Sequence, residues 1–248
     1  MCGRFAIRSA PEILRQLLGY REQPNFPPRY NVAPTQPISV VRIDSGQRHF
    51  ALVRWGLLPG WVKDPKAFTL VINARAESVN EKPAFRNAMK RRRCLIPADG
   101  FYEWKGEGPA KRPYYVSRRD GQPFCFAGLW ETWTGPNGEE VESAALVTTL
   151  ANRALAMIHH RMPVMLRSEA FEPWLDCAHV DADMAATLLT PPADEAVIAH
   201  PVSAAVNKVI NDDESLIAPV AEDAFEAPAP RVDTRKRKPA DERQASLF

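Results

Sequence analysis

Apolar positions recur along this chain with two periods, and the change of period marks out its elements. After Ser9-Ala-Pro-Glu12, which has the form of a capping box, Ile13, Leu14, Leu17 and Leu18 fall at helical spacing and predict a helix ending near Gly19. Residues 23–37 are rich in proline and predict irregular chain. Residues 38–43 and 50–55 read as strands joined by a turn at Asp44-Ser45-Gly46. Residues 83–93 predict a helix with Phe85 and Met89 on one face and Arg86, Lys90 and Arg93 on another. Residues 95–98, 114–117, 124–130 and 144–149 predict strands. Residues 151–158, 169–175 and 181–189 predict short helices. Strands and helices in mixed order imply an α+β fold: one domain with a strand-dominated, barrel-like mixed sheet core flanked by short helices.

The pattern fades near Pro219. Residues 221–248 are rich in Ala, Pro, Glu and Arg and predict a disordered tail, because such chain buries too little surface to offset its ordering entropy. The folded domain is therefore expected over residues 2–220. A length of 248 residues with 45% hydrophobic and 25% charged positions suits one globular domain. No apolar run approaches the ~20 residues that span a bilayer, and Met-Cys-Gly-Arg-Phe at the start lacks the apolar core of a signal peptide. A cytoplasmic, nucleoid-associated monomer with no membrane partner is expected.

Charge changes the picture little. A net +2 means that any nucleic-acid binding rests on local charge, and Lys90-Arg-Arg-Arg93 is either such a patch or a solvated face. The four cysteines, Cys2, Cys94, Cys125 and Cys177, include no Cys-x-x-Cys pair, so neither a structural metal nor another cofactor is expected. Cys94 and Cys125 sit in apolar runs as small buried hydrophobes.

Cys2 differs by position. If Met1 is removed, it presents an α-amine and a thiol on adjacent carbons. The amine attacks an aldehyde and the sulfur closes a five-membered thiazolidine. An α-amine titrates at about 7.7–8.0 against ~10.4 for lysine, so about a tenth is nucleophilic at pH 7. The alternative is that Cys2 merely follows the start codon.

Seven segments, in order over roughly residues 1 to 220, tip that balance: Met1-Cys-Gly-Arg-Phe5, Tyr30-Asn-Val-Ala-Pro34, Trp55-Gly-Leu-Leu-Pro-Gly-Trp61, Asn73-Ala-Arg-Ala-Glu77, Ala98-Asp-Gly-Phe-Tyr-Glu-Trp104, Ile158-His-His-Arg-Met-Pro163 and His200-Pro-Val202. In these the chain resembles the SOS-response-associated peptidase, or abasic-site-processing, family. The resemblance implies a DNA repair protein that senses abasic sites in single-stranded DNA and crosslinks to them through mature Cys2, with Asn73, Glu103 and His159 completing the catalytic site. Glu103, flanked by aromatics, would have a raised pKa and shuttle protons; alone it could equally be an exposed strand residue. His159 would act as acid and base, or else cap a helix or sit in the core. Asn73 would orient the amine and the sugar, or else hold a turn.

The resemblance also implies DNA contacts at Gly3, Arg4, Asn31, Pro34, Trp61, Arg75, Trp104, Thr148 and Arg161, the arginines holding phosphates and the tryptophans stacking bases. Two rival functions remain: a thiol peptidase with an N-terminal nucleophile, and a non-catalytic single-strand binder. Separately, the terminal Gln244-Ala-Ser-Leu-Phe248 resembles the peptide by which bacterial repair proteins dock on the polymerase sliding clamp, through Gln244, Leu247 and Phe248; chance is the alternative.

Overall fold

The computed structural model describes residues 2–108 and 111–221. The expected tail, with its candidate clamp peptide, lies outside the described residues. Thirteen named strands are found among the described residues: β1 (Phe5–Ile7), β2 (Arg29–Val32), β3 (Pro37–Asp44), β4 (Gln47–Trp55), β5 (Asn73–Arg75), β6 (Arg93–Ala98), β7 (Gly100–Lys105), β8 (Arg112–Arg118), β9 (Phe124–Thr134), β10 (Glu140–Leu150), β11 (Arg161–Pro163), β12 (Met165–Leu166) and β13 (Val197–Pro201). Five short helices accompany them: α1 (Pro11–Leu18), α2 (Arg86–Arg91), α3 (Arg153–Ala156), α4 (Phe171–Leu175) and α5 (Ala182–Ala186).

Strands β4, β3, β6, β9 and β10 pair in that order, and β10 returns to β4, so five strands close a barrel. Only the β10–β4 seam of this ring is parallel, which makes the sheet mixed as the sequence predicts. Closure leaves the barrel no open edge. Beside it lies an antiparallel sheet ordered β13-β8-β7-β1-β2. Phe5 from β1 and Phe101 from β7 join the two. Phe5 packs on Trp55 and Phe126 at centroid distances of 5.2 and 5.8 Å, and Phe101 on Phe126 at 6.0 Å. Cys94 and Cys125 are buried in this core, as expected.

The β3–β4 hairpin forms with its turn where expected, at Ser45 and Gly46 with φ of 48° and 77°, and β4 begins at Gln47, three residues earlier than the sequence predicts. Elsewhere the boundaries move. Ser9 does not cap α1: its hydroxyl donates to Asp99, which also accepts the Arg8 and Ser9 backbone N–H groups, and Ala10 is the cap with Pro11 in the first turn. The proline-rich stretch contains β2. The predicted helix over 83–93 contracts to α2, and Arg93 turns inward to start β6. Its guanidinium is 1% exposed and donates to the carbonyls of Met89, Trp174, Asp176 and Val180. The basic run is thus divided: Arg93 is an internal tie, and Arg92 pairs with Glu131.

Candidate functional site

The first residues run antiparallel to β7: Phe5 lies opposite Phe101, and the Tyr102 N–H donates to the Arg4 carbonyl at 3.0 Å. Side chains alternate along β7. Phe101 and Glu103 face the barrel; Tyr102 and Trp104 face away. Gly100 starts this strand because the Tyr115 ring occupies the space of a side chain; a Cβ there would lie 2.3 Å from it.

The barrel side holds Cys2, fully buried. Its thiol donates to the Arg4 carbonyl at 3.5 Å, and its own carbonyl accepts from the Asn73 amide at 2.8 Å. Asn73 heads β5, which runs parallel to β10 and is anchored at its start by the Trp55 indole donating to the Ile72 carbonyl at 3.1 Å. The Asn73 Oδ1 is buried and has no hydrogen-bond partner. A vacant acceptor beside Cys2 suits an amine or hydroxyl donor.

Glu103 is 4% exposed. Burial pushes its carboxyl up to about 7, against the pull of the Trp104 backbone hydrogen bond and Lys111. Burial is also the main cause of the raised Cys2 thiol, and the Glu103 charge adds to it. His159 is held through Nδ1 by the Arg161 backbone, 3.0 Å from its nitrogen and 3.1 Å from its oxygen, and its ring stacks on His160 at 4.4 Å. Burial first, with His160 and Lys111 adding, lowers its pKa against the opposing hydrogen bond to the Arg161 backbone. The Lys111 charge acts on both Glu103 and His159. Lys111 had no motif to mark it.

The remaining expected residues fall into three groups. Arg4, Asn31 and Trp104 lie on the outward face of β7: Arg4 donates to Asn31 Oδ1 and to the Val206 carbonyl, and buried Asn31 donates to three carbonyls between Val206 and Asn211. Arg161 and Thr148 form a buried second group. The Arg161 guanidinium is bidentate to Glu77 and bonds the Thr148 carbonyl at 2.7 Å, with exposed Arg75 nearby on β5. Trp61, 56% exposed, packs edge-on to Phe68 in a separate loop. Gly3 and Pro34 are half-buried. Among the described residues no three histidines, cysteines or carboxylates converge as a metal site, and no helix is long and apolar enough to cross a membrane.

Fold and site together define a closed-barrel protein with a buried cysteine, Cys2, held by Asn73 near its start. The family model for SOS response associated peptidase matches residues 1–209, and the chain belongs to that family. It is 39% identical over 221 residues to the abasic site processing protein YoqW of Bacillus subtilis, covering 88% of this chain and 99% of the relative. It is 32% identical over 264 residues to the abasic site processing protein HMCES of Gallus gallus, covering 89% and 78%. A crystal structure of a protein from Bacteroides thetaiotaomicron superposes with a TM-score of 0.78 at 27% identity, over 89% of this chain and 100% of that one.

Proposed function

We propose that this protein processes abasic sites in single-stranded DNA by bonding mature Cys2 to the ring-opened sugar. The observation that carries the reading is a buried Cys2 held by the Asn73 amide, with the Asn73 Oδ1 unfilled beside it and the Glu103 charge acting on its thiol. Relatives that cover most of the chain carry the name abasic site processing protein.

The steps balance without a co-reactant. Removal of Met1 gives Cys2 its α-amine. The amine nitrogen attacks the C1′ aldehyde, and the carbinolamine loses water to an iminium. The sulfur adds to that carbon and the thiol proton leaves, so aminothiol plus aldehyde gives thiazolidine plus water. Glu103, near its midpoint at neutral pH, can give a proton to the departing hydroxyl and take one from the thiol. His159, whose pKa burial lowers, can take a proton as the sugar opens. The raised thiol pKa supports the amine as first nucleophile and opposes a thiolate peptidase, which needs a depressed one.

Incubation with abasic single-stranded DNA, followed by a denaturing gel, tests the reading. A band of protein bonded to DNA is expected. Its absence with Met1-free protein would overturn the proposal. The same reading takes in the C-terminal peptide, where Gln244, Leu247 and Phe248 would bring the protein to a polymerase sliding clamp. Titration of a peptide of residues 239–248 with purified clamp tests that part separately, with micromolar binding expected.

A further inference from the structure

Residues 203–212 form a strap across the outward face of β7 and β2, and no expected site residue lies within it. It is tied down from below by a dense set of bonds. Asn31 Nδ2 donates to the carbonyls of Val206, Lys208 and Asn211 at 3.2, 3.1 and 2.8 Å. Asn211 Nδ2 donates to the Ala205 carbonyl at 2.8 Å. Asp212 accepts the Tyr30 and Asn31 N–H groups and pairs with Arg29 at 2.8 Å. Arg4 donates to the Val206 carbonyl at 2.7 Å.

Four consecutive residues at the crest, Asn207 to Ile210, nonetheless face solvent. The Asn207 Oδ1 accepts the indole N–H of Trp104 at 2.8 Å, although Asn207 is 103 residues away in sequence. Val209 and Ile210 are 42% and 88% exposed. Large aliphatic side chains held in water on a rigid crest, beside a lysine and a half-buried tryptophan, match a partner that is anionic along its backbone and apolar on its base faces. The crest is continuous with Arg4 and Trp104, which flank Cys2 and Glu103 in sequence.

We propose that this strap is part of the DNA-contact surface. Asn207 is a positioning residue that sets the plane of Trp104 for stacking, and Lys208 and Ile210 meet the phosphate and base beside the lesion. The inference rests on the proposed processing of abasic single-stranded DNA and says where the neighbouring nucleotides lie. A rigid crest aligns the flank without an ordering cost at the moment of binding.

Two measurements test it on the full chain. In the first, Lys208→Ala/Ile210→Ala is titrated with intact single-stranded DNA. The two side chains are exposed, so the fold should be retained, which the melting temperature checks. Affinity is expected to fall about tenfold, with a shallower salt dependence. In the second, Asn207→Ala is measured alone and in a Trp104→Phe background. Asn207→Ala alone should weaken DNA binding about threefold or more and shift tryptophan emission. In the background lacking an indole N–H it should do neither, because a residue that acts through Trp104 cannot act without it. Unchanged affinity in the double variant, or an equal Asn207 effect in both backgrounds, would overturn the strap proposal. A wild-type protein that crosslinks abasic DNA while the variants bind like it sinks this inference alone. A wild-type protein that neither binds nor crosslinks sinks the reading beneath it.

Discussion

The side-chain amide of Asn73 donates to the backbone carbonyl of Cys2 at 2.8 Å across 71 residues of sequence, while its oxygen, also buried, has no hydrogen-bond partner. One half of the amide fixes the start of the chain. The other half can accept from a donor that arrives or is created there, such as the amine that loss of Met1 would expose. Asn73→Ala should therefore slow crosslinking about tenfold or more while affinity for intact single strands stays within about twofold. Single-turnover rates at saturating DNA check this. An affinity loss equal to the rate loss would make Asn73 a DNA contact instead.

Glu103 carries a sign that can be read in two experiments. Its folded pKa, about 7, lies above the ordinary carboxyl value of 4.5. Between those values the folded protein holds a proton that the unfolded chain has released. Its contribution to stability is therefore present at low pH and lost as pH climbs through that window. Glu103→Gln should remove this slope, so the variant gains on wild type in melting temperature between about pH 5 and pH 7.5. The crosslinking rate should lose its inflection near pH 7 in the same variant. A melting curve with the same pH dependence in both proteins would show that Glu103 is not neutral when folded.

Arg93 ends the basic run that sequence alone offers as a DNA patch, yet its guanidinium is spent on four carbonyls inside the fold. Arg93→Ala would leave those acceptors unmatched and should cost about 3 kcal/mol or more, read as a lower urea midpoint. Lys90→Ala, at an exposed position of the same run, should change stability by less than about 0.5 kcal/mol. Equal effects would mean that Arg93 is not the tie described.

What the sequence makes legible follows from the range of the interactions. The β3–β4 hairpin is local, set by Ser45-Gly46 and the alternation around it, and its turn forms where expected. Strands β1, β2, β5 and β7 carry most of the site but little alternation. They are held by partners far away in sequence: Phe5 by Phe101, Asn73 by Leu146, and the Tyr30 carbonyl by the Tyr102 hydroxyl at 2.6 Å. The short motifs are legible for the same reason that their strands are not. Glu77 of one motif pairs with Arg161 of another, and Arg4 of a third with Asn31 of a fourth. Each motif is half of a contact, so several carry roles in the fold that compete with the expected DNA roles. Asn207 and Lys111 belong to no such segment, and only the folded arrangement sets Asn207 against Trp104 and the Lys111 charge on Glu103.

The two reactive atoms of Cys2 can be separated. Thiazolidine formation needs nitrogen first and sulfur second, an order that suits a thiol held protonated by burial. Cys2→Ser keeps the amine but offers a hydroxyl, which is a far weaker nucleophile towards an iminium. It should still give an imine that borohydride traps, but no adduct that survives heating without reductant. Cys2→Ala should behave in the same way, since the trapped species needs only nitrogen. A short peptide left uncleaved ahead of Cys2 should abolish both products, because it turns the amine into an amide while leaving the thiol in place. Intact mass must first establish that the reactive protein lacks Met1. Denaturing gels with and without borohydride then separate the cases. A heat-stable adduct from Cys2→Ser without reductant would rule out ring closure through sulfur. A stable adduct from the peptide-extended protein would remove the α-amine from the mechanism and return the thiol to the role of sole nucleophile.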